Sequence, residues 1–491
     1  MGGTRPGARM RPVELVDEDD ERPTSVTSAR HGGAGPGDEG PDDGSTAGDG
    51  GPSWRRWWPW VVGVAVLAVS SAGVATVQAD AFARERADRI ARVPGMVRPV
   101  EQAPAVRWRA PAEGPAPAVA AGGALVLLSV ADGTWTARAH DPATGDVRWE
   151  LPLVEQPGAG FESLVVTCAA GDAQQDVLLC AWAEPDVLYG GAEVTTPYAP
   201  PTRVVAVDPS DGAVLGEWEA EGPTLGVTRV DDDLVVAVAR PDRRVTVERR
   251  AGTSGEVRWS WTSPESLVDP TGVRVPPRLV ADRRVVTMAG IAPTVLDARS
   301  GDVIRSGGRG RQMLARGLPD GGYVLWVWTV GAELRAADGT VRGEVPALPV
   351  RVVTDGSLDG WLLVDTGNQV EAVAAQDGAP LWRLTTPAEP VAAVDGVVVL
   401  ARDATVLVVD GSDGRELWER REPREVLSDP VTDGLHAIVA VPGRDATDLV
   451  ARGLHDGVLA WDVALPADVE QVVAVGGRLV ALTGAQALVL G

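Results

Sequence analysis

The side chains best equipped for chemistry are few in this chain. Two cysteines occur, Cys168 and Cys180, and thiols brought together can pair, bind a soft metal or act as nucleophiles. They flank the segment AAGDAQQDVLL between two apolar runs, VVTC and LLCAW. A hairpin turning near Gln174 would set them opposite each other, and opposed strand positions about 4.5–5.5 Å apart at Cα suit a disulfide. A disulfide is expected if the domain is exported; two buried free thiols are the alternative. The histidines are His31, His140, His436 and His455, and none has the His-Glu-x-x-His or paired spacing of a zinc site. His140 and His455 each fall just before a turn, in what read as corresponding places of a repeat. Asp231-Asp232-Asp233 resembles a cation loop, but it falls in a hairpin turn and lacks the spaced ligands of a calcium site. There is no Gly-x-Ser-x-Gly elbow. Lysine is absent, which removes a Walker-type phosphate loop. No catalytic, metal-ligating or cofactor-binding residue is expected, and no cofactor.

Bulk properties narrow the partners. A net charge of −24 and a pI near 4.6 argue against nucleic acid, because phosphate binding needs clustered cations. A chain of 491 residues is too long for one ordinary domain, so one large fold with appendages is expected. The arginine-only, Ala/Val/Gly/Asp-rich composition fits a GC-rich coding bias. Aromatic usage is skewed, with 17 Trp against 3 Tyr and 2 Phe.

The elements follow in order. Residues 1–53 hold no sustained apolar period and carry the run Asp17-Glu18-Asp19-Asp20-Glu21, so this acidic tail is expected to be disordered. Residues 54–79 contain no charge from Trp57 to Val77, about the length a helix needs to cross a hydrocarbon core. Trp54, Trp57, Trp58 and Trp60 crowd one end, where an interfacial aromatic belt belongs. An uncleaved signal anchor fits better than a cleaved signal peptide, because a long polar stretch precedes it. Arg55 and Arg56 favour a cytoplasmic N-terminus, whereas Arg84, Arg86, Arg89 and Arg92 beyond the helix favour the reverse. The N-inside orientation is preferred: the arginine pair abuts the membrane edge and the candidate disulfide needs an oxidising compartment. Residues 80–103 read as a short charged juxtamembrane helix and a Pro-containing linker.

From residue 104 to 491 the sequence repeats. An apolar strand leads to a polar turn ending in Gly, with a Trp soon after. Clear copies are HDPATGDVRW (Asp141, Gly145, Trp149), DGSDGRELW (Asp410, Gly414, Trp418), AAQDGAPLW (Gly378, Trp382) and GLHDGVLAW (Gly457, Trp461). Weaker copies are VDPSDGAVLGEW (Gly212, Trp218), AGTSGEVRW (Gly255, Trp259), LDARSGDVIR (Gly301, Arg305) and AADGTVRG (Gly339, Gly343). Trp218 slips by two, which keeps it on the same strand face; Arg305 and Gly343 replace Trp outright. The glycines mostly recur every 36–46 residues or so, the period of propeller blades. Segments such as ALVLLSV, DLVVAVA and GVVVLAR read as strands. An all-β, closed β-propeller of four-stranded antiparallel blades is therefore expected.

The motif has a mechanical reading. Asp at the turn entry accepts backbone N–H bonds, and Gly takes the left-handed conformation of the reversal. Trp is then a flat wedge between blades with an indole N–H to satisfy. Trp108, in AVRWRAP, has no preceding partner, and the C-terminal strands around Val480 and Leu488 have no following turn. The two ends are expected to complete one blade. Eight complete units plus this split one can be counted, yet nine blades is unusual, so about eight are expected. The long unit between Gly145 and Gly212 carries EPDVLYGGAEVTTPYAPP, either a protruding functional loop or a surface elaboration.

These Asp-x-x-x-Gly-x-x-x-Trp copies resemble the tryptophan-docking repeats of the pyrroloquinoline-quinone (PQQ)-like β-propellers over roughly residues 104–491. That family includes quinoprotein alcohol dehydrogenases, the outer-membrane assembly lipoprotein and membrane-anchored actinobacterial ectodomains, and the composition is similar to the last group. The resemblance to the dehydrogenases would imply an adjacent Cys-Cys pair and a calcium-binding Glu/Asn/Asp set. The cysteines here are far apart, and Asn368 is the one Asn placed in a repeat. The expected function is a non-catalytic binding or scaffold module with a protein or cell-envelope ligand. It would be a single-pass cell-membrane protein, N-terminus cytoplasmic and propeller outside. The alternative is a divergent quinoprotein oxidoreductase.

Overall fold

The computed structural model of the chain describes residues 85, 89–90, 92–157, 164–169, 177–183, 201–267 and 277–491. The chain divides into two units, 1–72 and 73–491, and every described residue belongs to the second. The expected tail, the apolar span 54–79 and all but the last residue of the insertion 184–201 therefore lie outside the described residues. Among the described residues no helix is long and apolar enough to cross a membrane.

The strands form nine sheets, antiparallel throughout except where Val353–Thr354 joins the sheet of residues 389–421 in parallel. In chain order, blades 1 to 5 span 118–155, 167–220, 224–262, 278–306 and 313–345. Blade 6 spans 361–385, blade 7 spans 389–421 and blade 8 spans 431–466. Blade 9 joins 469–490 to Val106–Pro111 from the other end of the domain. The expected eight is thus corrected to nine. The split unit is a full blade in its own right, and none of the eight turn-bearing units was spurious.

Why these segments are strands follows from what covers them. Second strands are apolar on both faces because each blade is sandwiched between two others. Ala124 to Leu128 and Val397 to Ala401 are buried without alternation. Fourth strands are outermost and alternate: Val147 is exposed while Trp149, two residues on, is buried. First strands of neighbouring sheets approach one another, Thr224–Val230 with Arg278–Ala281 and Val431–Thr432 with Val469–Val475. They therefore line the inside of the ring.

The ring closes through Trp108. Its strand pairs antiparallel with the last strand, Trp108 opposite Val489 and Pro111 opposite Gln486. The chain just before it also packs on the ring. Ile90, Met96 and Val97 are fully buried, Ile90 and Met96 against blades 7 and 8 and Val97 against blades 8 and 9. Val97 N–H donates to the Thr432 carbonyl at 3.1 Å, and Arg98 N–H to the Gly477 carbonyl at 3.0 Å.

Candidate functional site

The repeat residues meet at the seams between blades. At Asp141 the turn is a single hydrogen-bonded reversal, Gly145 N–H donating to the Asp141 carbonyl at 2.9 Å. The same bond recurs from Gly212 to Asp208, Gly301 to Asp297 and Gly414 to Asp410, each at 2.9 Å. The aspartate carboxylates cap the turns from inside: Asp141 Oδ1 accepts Ala143 N–H at 2.8 Å, and Asp208 and Asp410 accept Ser210 and Ser412 in the same way. Arg148 holds the Asp141 carboxyl below the usual carboxylate range, with help from the Ala143 amide. A side-chain hydroxyl does the same for Asp208 and Asp410.

Six outer-strand tryptophans dock on the turn of the next blade. Trp149 donates to the Pro209 carbonyl at 2.8 Å, Trp218 to Gly252 at 2.8 Å and Trp259 to Ala298 at 3.0 Å. Trp382 donates to Gly411 at 2.6 Å, Trp418 to Leu454 at 2.9 Å and Trp108 to Pro142 at 3.4 Å. The turn glycine is needed twice over. Gly145 has φ +81°, and a Cβ there would stand 2.6 Å from Trp108 Cγ. Gly414 and Gly457 face Trp382 and Trp418 in the same way.

Three seams depart from the rule. Gly216 stands where five copies carry Trp, and a Cβ there would meet the Thr253 carbonyl oxygen at 1.8 Å. Backbone thus approaches backbone, and the indole of Trp218 docks one face-repeat later. Gly343 has the same clearance against the Asp377 carbonyl, 1.9 Å, and buried Val345 takes the place of Trp218. Between blades 4 and 5, Arg305 is exposed and Arg284 makes the joint instead. Its guanidinium lies over the Tyr323 ring, donates to the Gly321 and Ala337 carbonyls at 2.8 Å each, and pairs with Asp297. Gly216 and Gly343 were legible as residues four after a turn glycine; Arg284 had no signal in the repeat.

The eighth seam is closed by a different part of the chain. Blade 9 has no turn between its third and fourth strands, because one ends the chain and the other begins the domain. Trp461 donates instead to the Val100 carbonyl at 2.7 Å. Val100 N–H in turn donates to Asp433 Oδ2 at 2.8 Å. Asp433 is fully buried and also accepts the backbone N–H of Leu435 and His436 and, at 2.9 Å, His436 Nδ1. This carboxylate raises the His436 pKa above the ordinary histidine value.

The remaining sequence candidates are placed as follows. Cys168 and Cys180 are register partners in the first two strands of blade 2 and are joined by a disulfide, Cα–Cα 4.0 Å. The turn between them lies outside the described residues. His140 ends a strand, stacks on Trp108 and bonds the Gly145 carbonyl through Nδ1. His455 sits inside its turn, two residues before Gly457, and meets Asp395. The two are therefore not equivalent repeat positions, since Gly453, not His455, occupies the place of Asp141. Asp231 and Asp233 pair with Arg249, and Asp232 with Arg229. No group of three or more His, Cys, Asp or Glu is placed to hold a metal among the described residues.

These seams define a nine-bladed propeller with tryptophan-docking blades. The model of the family described as outer membrane protein assembly factor BamB matches residues 184–316 and 319–490, more than half of the sequence, and the chain belongs to that family. No curated protein matches it. Similar solved structures include BamB from Moraxella catarrhalis, 16% identical over 79% of this chain and 99% of that one, with a TM-score of 0.44. The quinohemoprotein alcohol dehydrogenase from Comamonas testosteroni is 11% identical over 83% and 82%, with a TM-score of 0.41. A europium-containing methanol dehydrogenase is 13% identical over 77% and 84%, with a TM-score of 0.38.

The described residues do not fit PQQ. Both cysteines are consumed by a disulfide across the blade 2 hairpin, so the adjacent-cysteine ring is excluded. The described carboxylates supply no calcium cluster.

Proposed function

We propose that this chain is a membrane-tethered, extracytoplasmic propeller that binds and positions protein partners or cell-envelope ligands without catalysing a reaction. The observation that carries this reading is the leader. Residues 96–100 are hydrogen-bonded into blades 8 and 9, so this segment is part of the folded ring. A rigid, closed ring presents its loops as a pre-organised binding surface. The family supports the same direction, since it is described by an assembly factor of the outer membrane. The repeat residues are engaged in joining blades, which leaves the loops and open edges for partners.

Proximity labelling from the full-length protein in its native membrane tests the reading. A reproducible set of envelope proteins is expected, lost when the same tether carries no propeller. Labelling indistinguishable from that of an unrelated tethered domain would overturn it. Incubating purified protein with PQQ and calcium is the control on the enzyme class: no bound quinone absorbance is expected.

A further inference from the structure

Blade 6 has three strands where the other sheets have four or five. The chain that should supply its first strand starts in place: Pro349 bridges Val364, and Val350 N–H donates to the Leu363 carbonyl at 2.7 Å. It then leaves for blade 7, where Val353 and Thr354 pair in parallel with Ala392 and Ala393. The backbone left behind is satisfied: Trp361 N–H donates to the Leu358 carbonyl at 3.2 Å, and Leu362 faces Val373 in the next strand. What opens is therefore room between side chains and not a strand edge. A cavity of about 1290 Å³ lies between blade 5, blade 6 and the departing segment, larger than the roughly 300–1,000 Å³ of most small-molecule sites.

The walls are mainly apolar, Leu318, Trp361 and Leu381 among them, and two guanidiniums, Arg316 and Arg351, stand in the lining. Arg316 is half-buried, and among the described residues its only acceptor is the Pro349 carbonyl. A guanidinium carries several N–H donors, so most of those on Arg316 are left to another acceptor. The acid near both cations is Asp282, 3.5 Å from Arg351. Its two oxygens already accept the backbone N–H groups of Arg284, Val285 and Gly317. Burial, and then the charge of Arg351, hold the Arg316 pKa below the usual guanidinium range, and Asp282 is the one acid that offsets them. Of the two carboxylates in the lining itself, Asp320 pairs with Arg342 and Asp359 is exposed to solvent. Two cations against one occupied carboxylate leave a positive charge unmatched beside an apolar chamber.

We propose that this cavity binds a small amphipathic monocarboxylate, its apolar body between blades 5 and 6 and its carboxylate against Arg316 and Arg351. Apolar walls supply the buried area of such a site, and a few polar groups fix the orientation. Guanidinium and carboxylate match in charge and in planar geometry. A monoanion neutralises the unmatched charge, whereas a dianion such as a phosphate would overshoot it. The inference rests on the binding-module reading and names one ligand class for it.

Equilibrium dialysis of the full-length chain in mild detergent tests it, with protein-free detergent as the blank. The probes are octanoate, cyclohexylacetate and naphthylacetate, each beside its primary amide and its phosphonate analogue. At least one acid is expected to bind saturably, and its amide about tenfold more weakly for want of the charge-assisted contact. Arg351→Gln should weaken that acid about tenfold and leave the amide unchanged. Ala375→Trp, which fills the cavity from the blade 6 side, should abolish both. Because that bulky substitution can disturb folding, Arg351→Glu at an exposed position is the second arm, and it should abolish binding of the acid with the fold retained. No saturable binding of any of the three acids up to millimolar concentration would overturn the site. So would an amide or a phosphonate that binds as tightly as its acid, or an acid undisturbed by Arg351→Glu. Proximity labelling reads the parent proposal separately: envelope proteins still labelled while no acid binds would remove this site and leave the scaffold reading standing.

Discussion

The indole N–H of Trp461 meets the carbonyl of Val100 at 2.7 Å, across a sequence separation of 361 residues. Every other docking tryptophan finds its acceptor in the following blade. Here the next blade is split, and the incoming chain supplies what its missing turn cannot. A chain shortened to begin at residue 104 should therefore lose more than a tail. Ile90, Met96 and Val97 are fully buried, and burying each such side chain stabilises by about 1.5–3 kcal/mol. Truncation should lower the urea midpoint by the equivalent of at least ~3 kcal/mol, whereas Trp461→Phe, which removes one hydrogen bond, should cost about 1 kcal/mol.

The docking wedges should be uniform in cost. Trp149→Ala leaves a void between blades 1 and 2 and should destabilise by about 3–5 kcal/mol. Gly212→Ala forces a Cβ to within 2.9 Å of the Trp149 ring at φ +77° and should also destabilise measurably. Trp328→Ala, at a position 56% exposed, should stay within about 0.5 kcal/mol. Equal losses at Trp149 and Trp328 in chemical denaturation would contradict the seam account.

The Asp433–His436 pair predicts a pH dependence. Its folded-state pKa is raised by Asp433, so the pair contributes fully below the unfolded histidine value, about 6.5. That contribution is lost as pH rises through the folded value. Stability should therefore fall as pH rises past about 6.5, and His436→Gln should flatten that slope. Melting curves across the window, with equal salt, check it; an unchanged slope in the variant would refute the assignment.

Reducing the Cys168–Cys180 bond releases a short loop, twelve residues apart in sequence. Loop-closure entropy of that size is worth about 3 kcal/mol. A Cys168→Ala, Cys180→Ala double variant should lose roughly that amount, and the reductant sensitivity of the wild-type midpoint should vanish with it.

The topology proposal is decided on intact, wall-stripped cells. Added protease should reach the propeller while a tag at the N-terminus stays protected. The opposite pattern would make this an intracellular scaffold.

What the sequence disclosed was whatever repeats. Asp, Gly and Trp at set spacings marked the outer turns, and the orphan strands at the two ends marked the closure. Blade number was misjudged by preferring the usual count to the residues. Features built from single residues escaped. Asp433 reaches Val100 through a fold contact with no repeat partner, and Arg284 replaces a tryptophan with guanidinium bonds that no spacing announces. The departure of residues 351–354 toward blade 7 was equally hidden, because Arg-Val-Val-Thr is as good a strand in either sheet.

Closing the ring with the first strand has a consequence for synthesis. Val106–Pro111 waits for Gln486–Leu490, roughly 380 residues later, which at about 5–20 residues per second is some 20 to 80 s. For that interval the first strand has no partner, while eight blades form behind it. Its sequence, VRWRAP, sets Arg107 and Arg109 on either side of Trp108, both exposed in the finished ring. Charges on a waiting strand discourage pairing with the wrong edge. In the completed fold both arginines stay at the surface, on the outer edge of blade 9.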